Sequence, residues 1–311
     1  MNDRRPTKPM VGPRTQGDGL VVARYGSEVQ VETADGAVFR AMLRRKFDHV
    51  VCGDRIVWGA EPNNDRTVIA VKPRRNALER TYFRGARRTL AANIDQIIIC
   101  IAPRPAPDWS LVDGLLLTAR QIDAEVLILL NKYDLPLPSE QAAALDAFRT
   151  MGYSVQTASK HLPSTLDCLR NELRAKVNVL VGQSGTGKST LTNLLLPEAE
   201  ARTAEVSDLT GFGQHTTSMS RLYRLAAGGA LIDSPGVRDF TPALPAPVDV
   251  QRGYIEFARL AADCRFNNCL HRGEPLCAVR AAVESGALSR RRYESYLSTL
   301  AAAESEPRAR G

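Results

Sequence analysis

Between residues 19 and 72, apolar and polar positions alternate in short runs (LVVARYG, EVQVETADG, AVFRAML, DRIVWG, TVIAVKP) separated by Gly, Asp-Gly and Asn-Asn. A period of two buries one face of each run and wets the other, and the intervening residues suit tight turns. The spacing therefore predicts five short strands. Five strands in so short a stretch point to a small closed barrel of the OB type, a fold often used to hold nucleic acid. After residue 72 the pattern changes. NIDQIIICIA (93–102) and EVLILL (125–130) are continuous apolar runs, expected of strands buried on both faces, and LVDGLLLTARQID between them has helical period. A helix near 141–150 and strands at 177–181 and 230–232 continue the alternation, predicting an α/β domain with a parallel sheet covered by helices. Pro242, Pro245 and Pro247 interrupt it, and RGYIEFARLAAD and residues 278–303 read as helices beyond. The expected organisation is an N-terminal flexible basic arm (1–18), an OB-type β-barrel (19–72), an α/β domain (73–246) and a C-terminal helical domain (247–311).

Chemistry enters at GQSGTGKST, which fits G-x-x-x-x-G-K-[ST] between the strand VNVLV and the helical STLTNLLL. Gly182, Gly185 and Gly187, with Gln183, Ser184 and Thr186 between them, let the backbone turn its N–H groups toward phosphate oxygens. Lys188 is expected on the β and γ phosphates, Ser189 on Mg²⁺, and Thr190 on the helix that follows. Downstream, Asp233 and Gly236 of DSPG follow the strand ALI, where a carboxylate holds the metal through water and a glycine N–H meets the γ-phosphate. Between the two, GFGQHTT offers Thr216 or Thr217 as the second Mg²⁺ ligand. Val237 stands where many GTPases carry a water-orienting glutamine, which predicts slow intrinsic turnover. His215 is either the catalytic substitute or a residue that merely contacts a partner or solvent.

Asn131, Lys132, Tyr133 and Asp134 follow the strand EVLILL and supply base-reading chemistry. Asp134 can accept from guanine N1–H and the exocyclic amine, a donor pair that adenine lacks. Asn131 is expected to brace neighbouring loops and Lys132 to lay its stem along the base. Ala158-Ser159-Lys160 is expected to give a last base contact through a backbone N–H. In an ordinary GTPase the base-reading sequence comes after the phosphate loop; here it comes before. The chain is therefore expected to be a circularly permuted P-loop GTPase.

Cys264, Cys269, His271 and Cys277 form C-x4-C-x-H-x5-C. Three thiolates and one imidazole complete a tetrahedral set with no open position, which points to one structural zinc rather than a catalytic one. Cys52, Cys100 and Cys168 are scattered and expected to be small buried hydrophobes. No apolar run approaches the ~20 residues that cross a bilayer, and the N-terminus lacks a secretory pattern, so a cytoplasmic protein with no membrane partner is expected. The net charge of +7 concentrates at residues 72–88, which read as a polyanion-binding surface or as a solvated charged face.

The order barrel, NKYD, GQSGTGKST, GFGQHTT, DSPG and C-x4-C-x-H-x5-C closely resembles the RsgA (YjeQ) family of circularly permuted, ribosome small subunit-dependent GTPases. The resemblance covers nearly the whole chain from about Gly19. It implies a cytoplasmic enzyme, monomeric when free, that hydrolyses GTP with Mg²⁺ and carries zinc. It implies too that the enzyme binds the 30S subunit late in maturation, contacts 16S rRNA and is stimulated by that particle. Two other classes fit the residues alone: a signalling GTPase acting on a protein effector, and an RNA-binding module with a structural nucleotide.

Overall fold

The computed structural model describes residues 15–60, 65–81, 87–196, 220–233 and 244–305. His215, Thr216, Thr217, Gly236 and Val237 lie outside the described residues.

Strands β1 (Thr15–Tyr25), β2 (Glu28–Glu32), β3 (Val38–Met42), β4 (Arg55–Ala60) and β5 (Arg66–Val71) form the barrel. Its order is β1-β2-β3-β5-β4, and β4 returns to pair with β1. Val21, Val29, Val31, Ala41, Ile56 and Val68 fill it from the inward positions of the alternating runs. β1 begins at Thr15, within the expected arm, because Thr15 to Leu20 pair with Ala60 to Arg55 of β4. TQGDG has no apolar alternation to advertise a strand; its partner's backbone makes it one.

The chain leaving the barrel is pinned rather than free. Arg74 donates from Nε and Nη2 to Asp54 Oδ1 and Oδ2 at 2.7 and 2.8 Å, and the fully buried Asp54 also accepts from the Val51 N–H. A hairpin follows, β6 (Ala77–Thr81) with β7 (Arg87–Ala92). Sequence patterning gave no sign of it, because charge obscures its alternation.

The α/β layer comprises β8 (Gln96–Ile101), α1 (Trp109–Gln121), β9 (Glu125–Leu130), α2 (Ser139–Met151), β10 (Ser154–Thr157), α3 (Pro163–Glu172), β11 (Val177–Val181), α4 (Lys188–Leu195), β12 (Arg221–Arg224) and β13 (Ala230–Asp233). β10, β9, β8, β11 and β13 run parallel in that order, and β12 lies antiparallel to β13. Every residue of β8 is buried, as the apolar run Ile97–Ile101 predicts, and the polar Gln96 is buried with it. β12 also pairs with β1 through Ala23 and Arg221, so the barrel and the α/β layer share one continuous sheet of eleven strands.

The C-terminal region holds α5 (Pro247–Val250), α6 (Ile255–Ala261), α7 (Ala278–Glu284) and α8 (Arg290–Ser305). The helix expected over 278–303 is two helices, broken after Ser285 where Gly286 takes a left-handed φ of 78°, a conformation that ends helices. This region is clamped to α1. Arg292, 1% exposed, donates to Asp113 Oδ1 at 2.5 Å and to both oxygens of Glu256, while Arg291 reaches Asp113 Oδ2 at 2.9 Å. Gly253 lies so close to α1 that an added Cβ would fall 2.1 Å from Leu117 Cδ1.

Candidate nucleotide site and Cys/His centre

Parallel strands present their C-terminal ends at one edge of a sheet, and ligands of open α/β sheets bind there. Residues 131–134 leave β9 at that edge, 158–161 leave β10 and 182–187 leave β11. Asp233 ends β13, one step beyond the Val179–Ile232 pair, and is therefore level with the residues that lead into Gly182.

The base-reading and phosphate sequences, separated in the chain, are bonded to each other in the fold. Asn131, buried, donates from Nδ2 to the Thr186 carbonyl at 2.8 Å, and Lys132 Nζ donates to the Gly185 and Arg104 carbonyls at 2.7 and 3.0 Å. Lys132 has a left-handed backbone with φ 56°, a cost that non-glycine residues bear mostly at functional sites. That turn lets its stem run back to the loop. Gly187 completes the junction: with φ 92°, it sits where a Cβ would fall 2.4 Å from Asn131 Nδ2. Cys100, fully buried beneath the loop, has its thiol pushed up to about 11 by burial, so it stays protonated and donates to the Thr186 carbonyl at 3.7 Å. Lys188 Nζ lies on the Gly182 and Gln183 carbonyls at 2.6 and 2.8 Å, and the Thr186 hydroxyl staples the loop to Gln183 O at 2.9 Å. Ser184 and Ser189 are exposed.

Beside this loop is a slot of about 300 Å³ lined by Asn131, Lys132, Asp134, Leu135, Lys160, His161, Gly187, Thr190, Leu191 and Leu194. Asp134 accepts a short hydrogen bond from the Ser159 hydroxyl, which holds its carboxyl below the usual range. The backbone around Ser159 narrows the expected base contact to one residue. The Ala158 N–H is bonded to Leu130 O, the Ser159 N–H to Thr165 Oγ1 and the His161 N–H to Ser159 Oγ. Of that turn, the Lys160 N–H is the donor left for a ligand.

Some expected residues face elsewhere. Tyr133 is 47% exposed and does not line the slot; it contributes a backbone N–H to Ala158 O at 3.1 Å. Gln183 turns its Oε1 to the Asp108 N–H at 3.1 Å, and Asp108 caps α1, so the phosphate loop is tied to that helix. His161 escaped sequence reasoning altogether. Its signal was position alone, two residues after the serine that braces Asp134. Cys168, expected to be buried, is exposed, whereas Cys52 and Cys100 are buried as expected.

The family model described as RsgA GTPase matches residues 71–242. A small ribosomal subunit biogenesis GTPase RsgA of Pseudomonas fluorescens is 42% identical over 291 residues, covering 91% of this chain and 84% of the relative. The chain belongs to the RsgA GTPase family. An RsgA of Pseudomonas aeruginosa is 42% identical over 286 residues, with the same coverage of both chains. The fold matches YjeQ from Thermotoga maritima with a TM-score of 0.74 at 24% identity, over 94% of this chain and all of that one. It matches YloQ, described as a circularly permuted GTPase, with a TM-score of 0.71 at 23% identity, over 97% and all of the respective chains. As an RsgA GTPase the chain is a GTP hydrolase, and its inverted motif order is the permutation seen in that fold.

A second centre lies in the C-terminal region. The donor atoms of Cys264, Cys269, His271 and Cys277, all four residues buried, lie within 4.8 Å of one another. A tetrahedral zinc with bonds of about 2.0–2.3 Å puts neighbouring donors about 3.5–3.8 Å apart. Here His271 Nδ1 is 3.6 Å from Cys264 Sγ and 3.4 Å from Cys277 Sγ, and the two sulfurs are 4.0 Å apart. The set fits the ion. Burial also keeps the His271 imidazole neutral by lowering its pKa, as ligation requires. Three residues that are not ligands hold it in place. Gln251 Oε1 lies 3.0 Å from His271 Nε2, fixing the proton there and leaving Nδ1 for a metal. Tyr296 donates to Leu270 O at 2.8 Å. The Glu274 carboxylate accepts from the Leu270, Arg272 and Gly273 N–H groups at 2.7, 2.8 and 3.0 Å.

Proposed function

We propose that this GTPase binds the 30S subunit and assists its late maturation in the cytoplasm, hydrolysing GTP to GDP and phosphate slowly alone and faster on that particle. The observation that carries the enzymatic part is the Asn131 and Lys132 brace across an inverted motif order, which supports reading the two distant segments as one guanine nucleotide site. The ribosomal part is carried by the relatives' names and the extent of their identity.

In this reading Asp134 and the Lys160 N–H read guanine. The N–H groups of 182–190 and Lys188 hold the phosphates. Ser189, Asp233 and Thr216 or Thr217 serve Mg²⁺, Gly236 senses the γ-phosphate, and His215 positions water. Zinc sits on Cys264, Cys269, His271 and Cys277 and staples a helical domain spanning 247–311. The barrel ending near residue 72 and the basic run beside it face 16S rRNA, and the free protein is a monomer. No helix among the described residues is long and apolar enough to cross a membrane.

The test is GTP turnover by the purified protein alone, with 30S subunits and with 50S subunits. Stimulation by 30S only is expected; equal turnover in all three would remove the ribosomal role.

A further inference from the structure

Guanine offers three recognisable features: a hydrogen-bonding edge, an O6 acceptor and two flat faces. Asp134 serves the edge and the Lys160 N–H the O6. Lys132, whose Nζ is fixed by two carbonyls, lays an aliphatic stem along the slot. Such a stem can cover one face of a base, whereas π-stacking needs a planar ring, and among the residues lining this slot the one planar ring is the His161 imidazole. Leu135, Leu191 and Leu194 give the same slot aliphatic walls.

The ring is also carried on a rigid support. The His161 N–H donates to Ser159 Oγ at 3.0 Å, the Leu162 N–H closes a turn onto Ser159 O at 3.1 Å, and Ser159 itself is fully buried and bonded to Asp134. The side chain that braces the base-reading carboxylate thus also anchors the residue bearing the ring. Asp134 and His161 line the same slot, so the imidazole shares a cavity with the carboxylate that would hold the purine edge.

From this geometry we infer that His161 is a nucleotide-binding residue that packs its imidazole against the guanine ring and sets a large share of the affinity for guanine nucleotides. The inference rests on the reading of the slot as the guanine site. Contact with the ring face is common to GTP, GDP and inosine nucleotides, since it does not touch the exocyclic amine. It differs in this from Asp134, whose contribution depends on that amine.

The experiment measures dissociation constants for GDP, GTP and IDP by competition against a fluorescent GDP, on the full-length protein and on His161→Ala, His161→Phe and His161→Gln. Base stacking on an aromatic ring corresponds to roughly a fivefold to hundredfold change per base. His161→Ala and His161→Gln should therefore weaken all three nucleotides about tenfold, with the GDP to IDP ratio unchanged, and His161→Phe should bind like the parent or tighter. All three variants keep the backbone N–H that anchors the turn, and matching thermal melts exclude misfolding as the cause. Parental affinity in His161→Ala would overturn the inference, as would a changed GDP to IDP ratio, which would mean that His161 acts through Asp134. If the parent protein bound no guanine nucleotide, the reading of the slot itself would fall instead.

Discussion

In the proposed function, nucleotide choice turns on Asp134. Its carboxylate lies at the slot, kept ionised by the Ser159 hydroxyl, and two guanine donors match its two oxygens. Asp134→Asn exchanges an acceptor for a donor. GTP should bind at least about a hundredfold more weakly while xanthosine nucleotides gain, because a group built for one hydrogen-bond pattern penalises its complement. Competition between the two nucleotides on the variant checks this, and unchanged preference for GTP would contradict the assignment. Asp134, Asn131 and Lys188 were legible in the sequence because short motifs encode residue chemistry directly. Ser159's grip on Asp134, and the reduction of its turn to one free N–H, were not. They depend on which hydrogen bonds the backbone had already made.

At the scale of elements, the loop between α6 and α7 shows how much a ligand motif leaves unsaid. Four ligands were visible from spacing alone, but Gln251, which orients His271, precedes the first of them in the chain. Gln251→Ala should lower zinc affinity about 10- to 100-fold, measured by competition with a chelator, with the four ligands intact. Glu274 gives a pH dependence. Burial would raise its pKa, but the backbone N–H groups of its own loop outweigh that and bring it from 4.5 to about 2. A depressed carboxylate stabilises the fold fully above its unfolded pKa and progressively less as pH falls toward its folded one. The difference in melting temperature between the parent and Glu274→Gln should therefore be largest near neutral pH and shrink below about pH 4.5. A difference undiminished between pH 7 and pH 3 would show that the carboxylate charge is not what holds the loop. Helix periodicity predicted α1 and α2 within a residue or two. It failed at the β6–β7 hairpin, where charged side chains on a small sheet carry little alternation.

Across the whole molecule, one buried cation joins the C-terminal region to the α/β layer. Burial alone would lower the pKa of Arg292, but the Glu256 hydrogen bonds and the Asp113 charge raise it instead, so the guanidinium remains charged at any working pH. It also stacks 4.5 Å from the Tyr254 ring. Arg292→Met would leave Glu256 without that partner and Asp113 with Arg291 alone, at a cost of about 3 kcal/mol. Urea denaturation should show it as a lower midpoint, and a midpoint equal to the parent's would mean that the clamp is dispensable. Because α1 carries Asp113 on its body and, at its capped start, the Gln183 contact, the same helix meets both the phosphate loop and the C-terminal region.

The sequence by itself determined the class of the protein: a barrel from period-two alternation, a parallel layer from unbroken apolar runs, a permuted GTPase from motif order and a four-ligand centre from spacing. These are local properties, fixed by which side chains are near in the chain. Tertiary structure alone decided that the barrel continues into the α/β sheet through β1 and β12, that Asn131 and Lys132 grip the phosphate loop, and that Arg292 pins the C-terminal region to α1. Each of these joins residues far apart in the chain. Such pairs are selected by the packing of finished elements, and no local pattern records them.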